Sequence, residues 1–264
     1  MIHKTAIIES NAKISNNVSI GAYSIIGADV QIGEGSIIQS HVNIIGDTII
    51  GKNNKIYSFS SIGNDPQDLK YKNEKTKIII GDDNKIREYV TVNPGTLGGG
   101  KVTTIGNNCL FMVHSHIAHD CKIGNNVILA NSVPIGGHAT IEDEVIIGGN
   151  SAVQQFTRVG KLSMIGGMCG VVKDVLPYSL VYGNRSILQG VNIIGLRRKN
   201  IPNNKINKVK EAFDFIFQNK HHMDNVNKLP NEISKEEIVK DIINFLNNDK
   251  KRPICTPLSL DENN

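Results

Sequence analysis

Three histidines crowd one short stretch, VHSHIAHDC, which holds His114, His116 and His119 and sets Asp120 directly after the last of them. A fourth, His138, follows further along the chain. Imidazole groups at such spacing support two kinds of chemistry. General-base catalysis needs a single histidine that titrates near neutral pH, and it contributes roughly 10² to 10⁴ in rate. Metal binding needs at least three ligands, at about 2.0 to 2.1 Å for zinc.

An internal repeat of six residues determines where these side chains lie. Isoleucine recurs at every sixth position from Ile2 to Ile62 without a miss, the frame resumes at Ile80, and a shifted frame runs from Ile105 to Val171. This period fits neither an α-helix nor a two-residue alternation. It predicts a parallel β-helix in which each hexapeptide is one short strand plus a turn, and three hexapeptides form one coil. We expect every key aliphatic residue of the repeat to point into the core.

The repeat places the histidines relative to one another. Hexapeptides that are 18 residues apart stack in adjacent coils, and three of them carry His119, Gly137 and Gln155 as their third residue. These three residues therefore share one column, meaning equivalent positions of stacked coils. His138 is expected about one coil from His119. Asp120 is placed to orient the His119 imidazole, as carboxylates commonly do for catalytic histidines.

The residues leave both chemistries open at this column. His114 and His119 have an H-x4-H spacing similar to that of hexapeptide-repeat carbonic anhydrases, which makes a zinc site a concrete alternative. Those enzymes take a third ligand from an earlier coil, and no histidine lies between His41 and His114 to supply it. A general base has no such requirement, and a surface histidine without a role is the third possibility.

Two interruptions of the repeat, residues 63–79 and 93–104, are predicted to be loops that leave the β-helix, and loops on a rigid scaffold often carry function. The first contains DPQDLKYKNEK, which is too polar to pack inside. The second contains PGTLGGGK, which lacks the GxxxxGK[ST] spacing of a phosphate loop and precedes no predicted helix. We therefore expect no nucleotide-binding P-loop.

The repeat ends after Val171, and a different composition follows. We assign residues 1–175 to the β-helix domain and residues 176–264 to a C-terminal linker and helical domain. Pro202 opens a segment with apolar residues on one helical face. Ser234 and Glu237 have the spacing of a capping box before a second such segment.

The charge of the C-terminal part is uneven. Residues 185–210 hold seven basic residues and no acidic ones. This basic stretch is either a solvated helix surface or a docking patch for an acidic partner or phosphates. Aromatic residues do not interleave with the basic ones, so we do not expect nucleic-acid binding.

The composition bounds the class of protein. The 264 residues carry a net charge of +4 and include 40 Ile, 25 Gly and no Trp, which favours short strands and tight turns over a helical bundle. A hydrophobic fraction of 39% argues against a disordered chain. No run approaches the roughly 18 apolar residues of a membrane span, and MIHKTAIIES lacks a secretory pattern. We expect a cytoplasmic protein, without stable membrane insertion, whose four cysteines form no CxxC pair and stay reduced.

Several segments carry a family resemblance: SIGNDPQDLKY, HIAHDC, ILANSVPIGGH, GNSAVQQF, GGMCGV and GVNIIGLRRK. With them, the chain up to about residue 200, and more weakly the helical tail, resembles the UDP-N-acetylglucosamine O-acyltransferases, cytoplasmic enzymes that begin lipid A synthesis in Gram-negative bacteria. HIAHDC and QDLKY are far more specific than the repeat, which many acyl- and acetyltransferases share.

The resemblance implies an all-β left-handed parallel β-helix with a C-terminal α-helical domain, and a homotrimer with active sites between subunits. It implies transfer of an R-3-hydroxyacyl group from acyl carrier protein to the 3-hydroxyl of UDP-N-acetylglucosamine, with no cofactor and no metal. The basic stretch would meet the acidic carrier protein. Some relatives prefer the 3-amino analogue of the sugar nucleotide and form an amide, and the sequence does not discriminate between the two.

The resemblance also implies roles for individual residues. His119 would be the general base for the sugar hydroxyl, Asp120 would support it, and the N–H of Gly137 would stabilise the oxyanion. Asn192 and Arg198 would hold the uracil and phosphate end. The residues implied to bind the sugar and acyl groups are Gln67, Asp68, Lys70, His116, His138 and Gln155.

The chain departs from the family pattern at three positions. Gln154 and Asn93 stand where well-known members have histidines, which concerns placement of the acyl chain. Arg185 replaces a histidine near the nucleotide end with a permanent cation, and we expect it to strengthen phosphate binding. Gly167 and Met168 lie where the family sets acyl length, and the small residue suggests room for a long chain.

Overall fold

The computed structural model describes residues 1–248 and 252–260. Its backbone follows the hexapeptide repeat, because each of the first 25 strands ends on an aliphatic or aromatic key residue of the pattern. The strands are β1 Ile7–Ile8, β2 Lys13–Ile14, β3 Ser19–Ile20, β4 Ile25–Ile26, β5 Gln31–Ile32, β6 Ile37–Ile38, β7 Asn43–Ile44, β8 Asp47–Ile50, β9 Lys55–Ile56, β10 Ser61–Ile62, β11 Lys77–Ile80, β12 Lys85–Ile86, β13 Thr91–Val92, β14 Val102–Ile105, β15 Leu110–Phe111, β16 His116–Ile117, β17 Lys122–Ile123, β18 Ile128–Leu129, β19 Pro134–Ile135, β20 Thr140–Ile141, β21 Ile146–Ile147, β22 Ala152–Val153, β23 Arg158–Val159, β24 Met164–Ile165, β25 Gly170–Val171, β26 Ser179–Tyr182 and β27 Ile187–Val191.

The strands form three sheets, each built from every third strand. The first sheet runs from β1 through β4, β7 and so on to β25, the second from β2 to β23, and the third from β3 through β24 to β26 and β27. Pairing is parallel apart from the final β26–β27 hairpin, and uninterrupted coils pair residues 18 apart, as in Ile26 with Ile44 and Ile44 with Ile62. This confirms the predicted coil of three hexapeptides.

The key residues form the core, with an exception at the N-terminal end. From Ile20 to Val171 every key position is buried. Ile2 is 50% exposed, however, and Ile8 and Ile14 are only half-buried. The expectation that all key residues are core is wrong for this first coil, because no coil lies beneath it.

Both predicted loops leave the β-helix where the repeat breaks, but they end earlier than predicted. The first spans residues 63–76 and the second residues 93–101, because Lys77–Ile80 and Val102–Ile105 are strands. The second loop contains a 3-10 helix, Leu97–Gly99.

The C-terminal part begins with more β-structure than predicted. Strand β26 pairs with β24 and so extends the third sheet beyond residue 175, and β27 closes the hairpin. Helices follow: α1 Ile193–Arg198, α2 Asn203–Ile216, α3 His222–Asn227, α4 Asn231–Ser234, α5 Glu237–Asn248 and a 3-10 helix Leu258–Leu260.

Pro202 precedes α2 as predicted, and Ile206, Val209 and Phe213 are buried along one face of that helix. The predicted capping box is wrong: Ser234 is the last residue of α4, and α5 begins at Glu237 itself.

Polar contacts fasten the helices to the last coils. Arg158 of β23 donates to the carbonyl of Phe245 in α5 at 2.9 Å and pairs with Asp174 at 2.7 Å. Tyr178 and Lys161 both bind Asp241 of the same helix.

All four cysteines are free and buried, as expected. Within residues 1–248 and 252–260, no helix combines the length and the apolar character needed to cross a membrane.

Candidate active site

The predicted column forms at one corner of the β-helix, meaning the stacked turns that follow strands β16, β19 and β22. These strands are neighbours in the first sheet, with Ile117, Ile135 and Val153 in register. Backbone hydrogen bonds join the corners above them: the His138 N–H donates to the His119 carbonyl, and the Phe156 N–H to the Gly137 carbonyl, both at 2.9 Å. His119, Gly137 and Gln155 therefore stack as predicted.

His119 and Asp120 form a hydrogen-bonded pair inside this corner. The Nδ1 atom of His119 lies 2.9 Å from Oδ2 of Asp120. His119 is 9% exposed, and the Asp120 side chain is inaccessible to solvent. Because the carboxylate binds Nδ1, the Nε2 atom is the ring nitrogen that remains for a substrate hydroxyl.

Gly137 must be a glycine for the corner to close. A Cβ atom at this position would lie 2.6 Å from Cε1 and 2.7 Å from Nε2 of His119. The N–H groups on either side, of Gly136 and His138, donate to the carbonyls of Val153 and His119. In the described residues 1–248 and 252–260 the N–H of Gly137 has no acceptor, so it is available to a ligand beside the imidazole.

Two further histidines flank the pair in neutral form. Burial is the main cause that lowers the pKa of His138, and the nearby Asp120 carboxylate only partly opposes it. Burial likewise lowers the pKa of His116, whose Nδ1 lies 2.6 Å from the Thr91 hydroxyl. The His138 ring stacks on Phe156 at 4.3 Å and meets His119 edge-on at 5.0 Å.

The first loop brings charge to the same corner. The charges of Asp68 and Lys70 both act on the His138 ring. The Asp68 carboxylate also accepts from the Lys70 N–H at 3.0 Å. Gln67 is exposed on this loop, and Gln155 is exposed at the corner.

Sequence reasoning missed the groups that join the two loops. Glu74 accepts from the N–H groups of Lys72 at 2.7 Å and Leu97 at 3.0 Å, and these backbone hydrogen bonds lower the pKa of its carboxyl. The amide of Asn93 donates to the carbonyls of Asn64 and Asp65 at 3.1 and 3.2 Å. The polar composition of the first loop was the only signal available for these contacts.

Of the two histidines considered as zinc ligands from the sequence, His114 and His119, only His119 lies in a cluster of possible metal ligands among the described residues. Ligand atoms of His119, Asp120 and His138 lie within 4.8 Å of one another, and His119 Nδ1 already lies 2.9 Å from Asp120 Oδ2. His114 lies on the preceding corner, where its exposed ring stacks on Tyr89 at 4.9 Å. The H-x4-H pair is therefore split between two corners.

The residues assigned to the nucleotide end lie at a different height of the β-helix. Asn192 caps α1 by accepting from the Gly195 N–H, and its amide donates to the Leu162 carbonyl at 2.9 Å. Arg185 in the β26–β27 turn and Arg198 at the end of α1 are exposed. Arg185 follows β26, and in the third sheet β18, β21, β24 and β26 follow one another, so Arg185 lies about 14 Å along the axis from the His119 coil.

The residues expected to contact the acyl chain follow later strands than His119: Gln154 follows β22, and Gly167 and Met168 follow β24. Met168 is 72% exposed, and a Cβ atom on Gly167 would lie 3.2 Å from the Gly149 carbonyl oxygen. Gln154 accepts from the Arg252 guanidinium at 3.2 Å, a contact that only the fold reveals.

The basic stretch is partly neutralised within the chain. Lys199 pairs with Glu144 and Lys208 with Glu211, each at 2.8 Å. Arg197 and Lys210 are exposed.

Family models and named relatives agree on one family. The model described as UDP N-acetylglucosamine O-acyltransferase, domain 2, matches residues 174–255, and bacterial transferase hexapeptide repeats match residues 11–46 and 103–137. Proteins named acyl-[acyl-carrier-protein]–UDP-N-acetylglucosamine O-acyltransferase are similar to the whole chain. That of Aliarcobacter butzleri is 46% identical and that of a Sulfurovum species 49% identical, each over 95% of this chain and 96% of the relative.

Solved structures of the same family share the fold. The structure of LpxA from Acinetobacter baumannii is 41% identical, with a TM-score of 0.91 over 96% of this chain and 99% of that one. The Francisella novicida UDP-N-acetylglucosamine acyltransferase gives a TM-score of 0.93 at 36% identity, over 99% of this chain and 97% of that one. The architecture is the left-handed parallel β-helix with a C-terminal helical part. With sequence identity and fold both extending over nearly its full length, the chain belongs to the UDP-N-acetylglucosamine O-acyltransferase family.

Proposed function

We propose that this chain transfers an R-3-hydroxyacyl group from acyl carrier protein to the 3-hydroxyl of UDP-N-acetylglucosamine, the first step of lipid A biosynthesis. One observation carries the proposal: a buried His119–Asp120 pair lies beside Gly137, whose N–H has no acceptor among the described residues. The names of the relatives support it. They favour neither a carbonic anhydrase-like hydratase nor an amide-forming N-acyltransferase.

The reaction proceeds by direct acyl transfer. His119 Nε2 removes the proton from the sugar 3-hydroxyl as its oxygen attacks the thioester carbonyl carbon. The oxyanion of the tetrahedral intermediate accepts a hydrogen bond from the Gly137 N–H. The carbon–sulfur bond then breaks, the ester remains on the sugar, and the proton held by His119 passes to the departing thiolate of the carrier.

Asp120 holds the His119 imidazole in the orientation that both proton transfers need. Its carboxylate accepts a hydrogen bond from the Nδ1–H group, which fixes Nε2 as the basic atom, and it stabilises the imidazolium that forms. Neutral His116 and His138 add no positive charge that would oppose this imidazolium, because burial lowers the pKa of both.

Loop and corner residues hold the substrates around these atoms. Asp68 and Lys70, with Gln67, bind the sugar beside His138, and Gln155 contacts the acyl group. Asn192, Arg185 and Arg198 take the uracil and phosphate end, and Gly167 and Met168 border the far end of the acyl chain. Support comes from the charges that act on His138 and from the exposure of Arg185 and Arg198.

The active enzyme is a cytoplasmic homotrimer with its sites between chains. The distance of about 14 Å along the axis between the His119 coil and Arg185 leaves room for a neighbouring chain to take part in nucleotide binding. Light scattering on the purified protein should give three times the chain mass, and a monomer mass would contradict the trimer.

Product analysis tests the proposed reaction. The purified protein is incubated with a mixture of R-3-hydroxyacyl carrier proteins of several chain lengths and with either UDP-N-acetylglucosamine or its 3-amino analogue. We expect mass spectrometry to detect the 3-O-acyl ester of the natural nucleotide, with one chain length preferred. Formation of only the amide, or of no acylated nucleotide, would overturn the proposal.

A further inference from the structure

The Asp120 carboxylate accepts two hydrogen bonds from a residue of the second loop. The backbone N–H of Thr96 donates to Oδ1 at 2.9 Å, and the Thr96 hydroxyl donates to Oδ2 at 2.6 Å. His119 Nδ1 approaches that same Oδ2 at 2.9 Å. The carboxylate can only accept hydrogen bonds when ionised, so these three donors fix its orientation from two sides.

The loop itself is built to reach the carboxylate. A Cβ atom on Gly99 would lie 2.0 to 2.3 Å from the carboxyl atoms of Asp120, so the loop can close over them only with glycine at this position. The Thr96 carbonyl accepts from the N–H groups of Gly99 and Lys101 at 3.1 and 3.0 Å, which holds Thr96 in place. On the other side, the Thr103 hydroxyl accepts from the Asp120 N–H at 2.8 Å.

We propose that Thr96 is a positioning residue that sets the orientation and tautomer of His119 through Asp120. Thr96 is only 4% exposed, so its effect reaches the substrate through the pair and not by contact. The inference rests on the proposed function, because it presumes that His119 is the base.

The expected effect of removing the Thr96 hydroxyl follows from the charge of the Asp120 carboxylate. The Thr96 hydroxyl stabilises the anionic form of the His119–Asp120 pair, in which the imidazole is neutral and can accept a proton. Removing the hydroxyl favours protonation of the pair and lets the carboxylate rotate. The titratable or charged groups that face the pair from the neighbouring elements are His116 and His138, with Asp68 and Lys70 acting on His138.

The test compares Thr96→Val, which removes only the hydroxyl function, with Thr96→Ser, which keeps it. In Thr96→Val we expect kcat to fall about tenfold or more, with KM for the sugar nucleotide changed less than about twofold. The acid limb of the kcat/KM profile should move to higher pH. Thr96→Ser should restore kcat and the profile.

A matched control and a second variant keep the outcome interpretable. Thr48→Val removes another buried threonine hydroxyl, which donates to the Ile45 carbonyl at 2.8 Å and makes no contact with the His119–Asp120 pair. This variant should leave kcat and the pH profile of kcat/KM unchanged. If Thr96→Val does not fold, Gly99→Ala displaces the carboxylate by steric contact and should also lower kcat. A folded Thr96→Val or Gly99→Ala enzyme with wild-type kcat and acid limb would overturn the inference.

His119→Ala in the same assay separates the two proposals. Full activity of His119→Ala would refute the base and thus the proposed mechanism. An inactive His119→Ala together with a wild-type Thr96→Val profile would refute the role of Thr96 alone.

Discussion

Three neighbouring residues restrict the orientation of the His119 ring, and the proposed chemistry depends on this restriction. Asp120 holds Nδ1, Gly137 lies close to Cε1 and Nε2, and His138 meets the ring edge-on. Each contact comes from a different corner position that the 18-residue coil brings together. A proton acceptor confined in this way loses little orientational entropy when the substrate arrives.

Gly137→Ala tests that confinement at a single residue. The new Cβ would lie 2.6 Å from Cε1 of His119, so the ring or the corner must shift, and the proposed oxyanion donor shifts with it. We expect kcat to fall about 10²-fold, measured at saturating substrates. Gly149→Ala is the control, because its Cβ would have no neighbour nearer than 3.5 Å, and it should keep wild-type turnover. Equal turnover of both variants would contradict the close approach as a catalytic requirement.

Among the elements, the two-residue strands were the easiest to predict and the loops the hardest. The key aliphatic residues fix the strand register and with it the His119, Gly137 and Gln155 column. The contacts of Thr96 and Glu74 escape such reasoning, because each joins a loop outside the repeat to a residue more than 20 positions away. Local spacing also misled at Ser234, since the short helix α4 takes up the residue that resembled a cap.

Helices α1 and α2 carry the surface that we expect the acidic carrier protein to meet. Arg197 and Lys210 are exposed, whereas Lys208 pairs with Glu211 and Lys205 lines a groove with Glu237. Reversing the first two charges, Arg197→Glu with Lys210→Glu, should raise KM for acyl carrier protein several-fold at low salt, because charge steering is lost.

The KM for the sugar nucleotide should not change in that double variant. Lys13→Glu makes the same kind of charge change at the far end of the β-helix, on an exposed residue, and serves as its control. An unchanged carrier KM in the double variant at low salt would refute docking on these helices.

At the scale of the whole molecule, the repeat explains why so much was predictable. A coil that stacks on itself converts positions 18 residues apart into neighbours, so sequence spacing becomes distance along the prism. That conversion fails where the repeat stops, which is why the β26–β27 extension of the third sheet was missed. It also says nothing about contacts between chains, on which the proposed trimer depends.

Turnover by His119→Ala is the most direct measurement of the central claim that one buried histidine is the base. His114→Ala serves as the matched variant, since His114 lies in the same motif but is exposed on the preceding corner. The predicted result is a loss of at least about 10² in kcat for His119→Ala with the circular dichroism spectrum of the folded protein, and near wild-type kcat for His114→Ala. Retained turnover in folded His119→Ala would contradict the account.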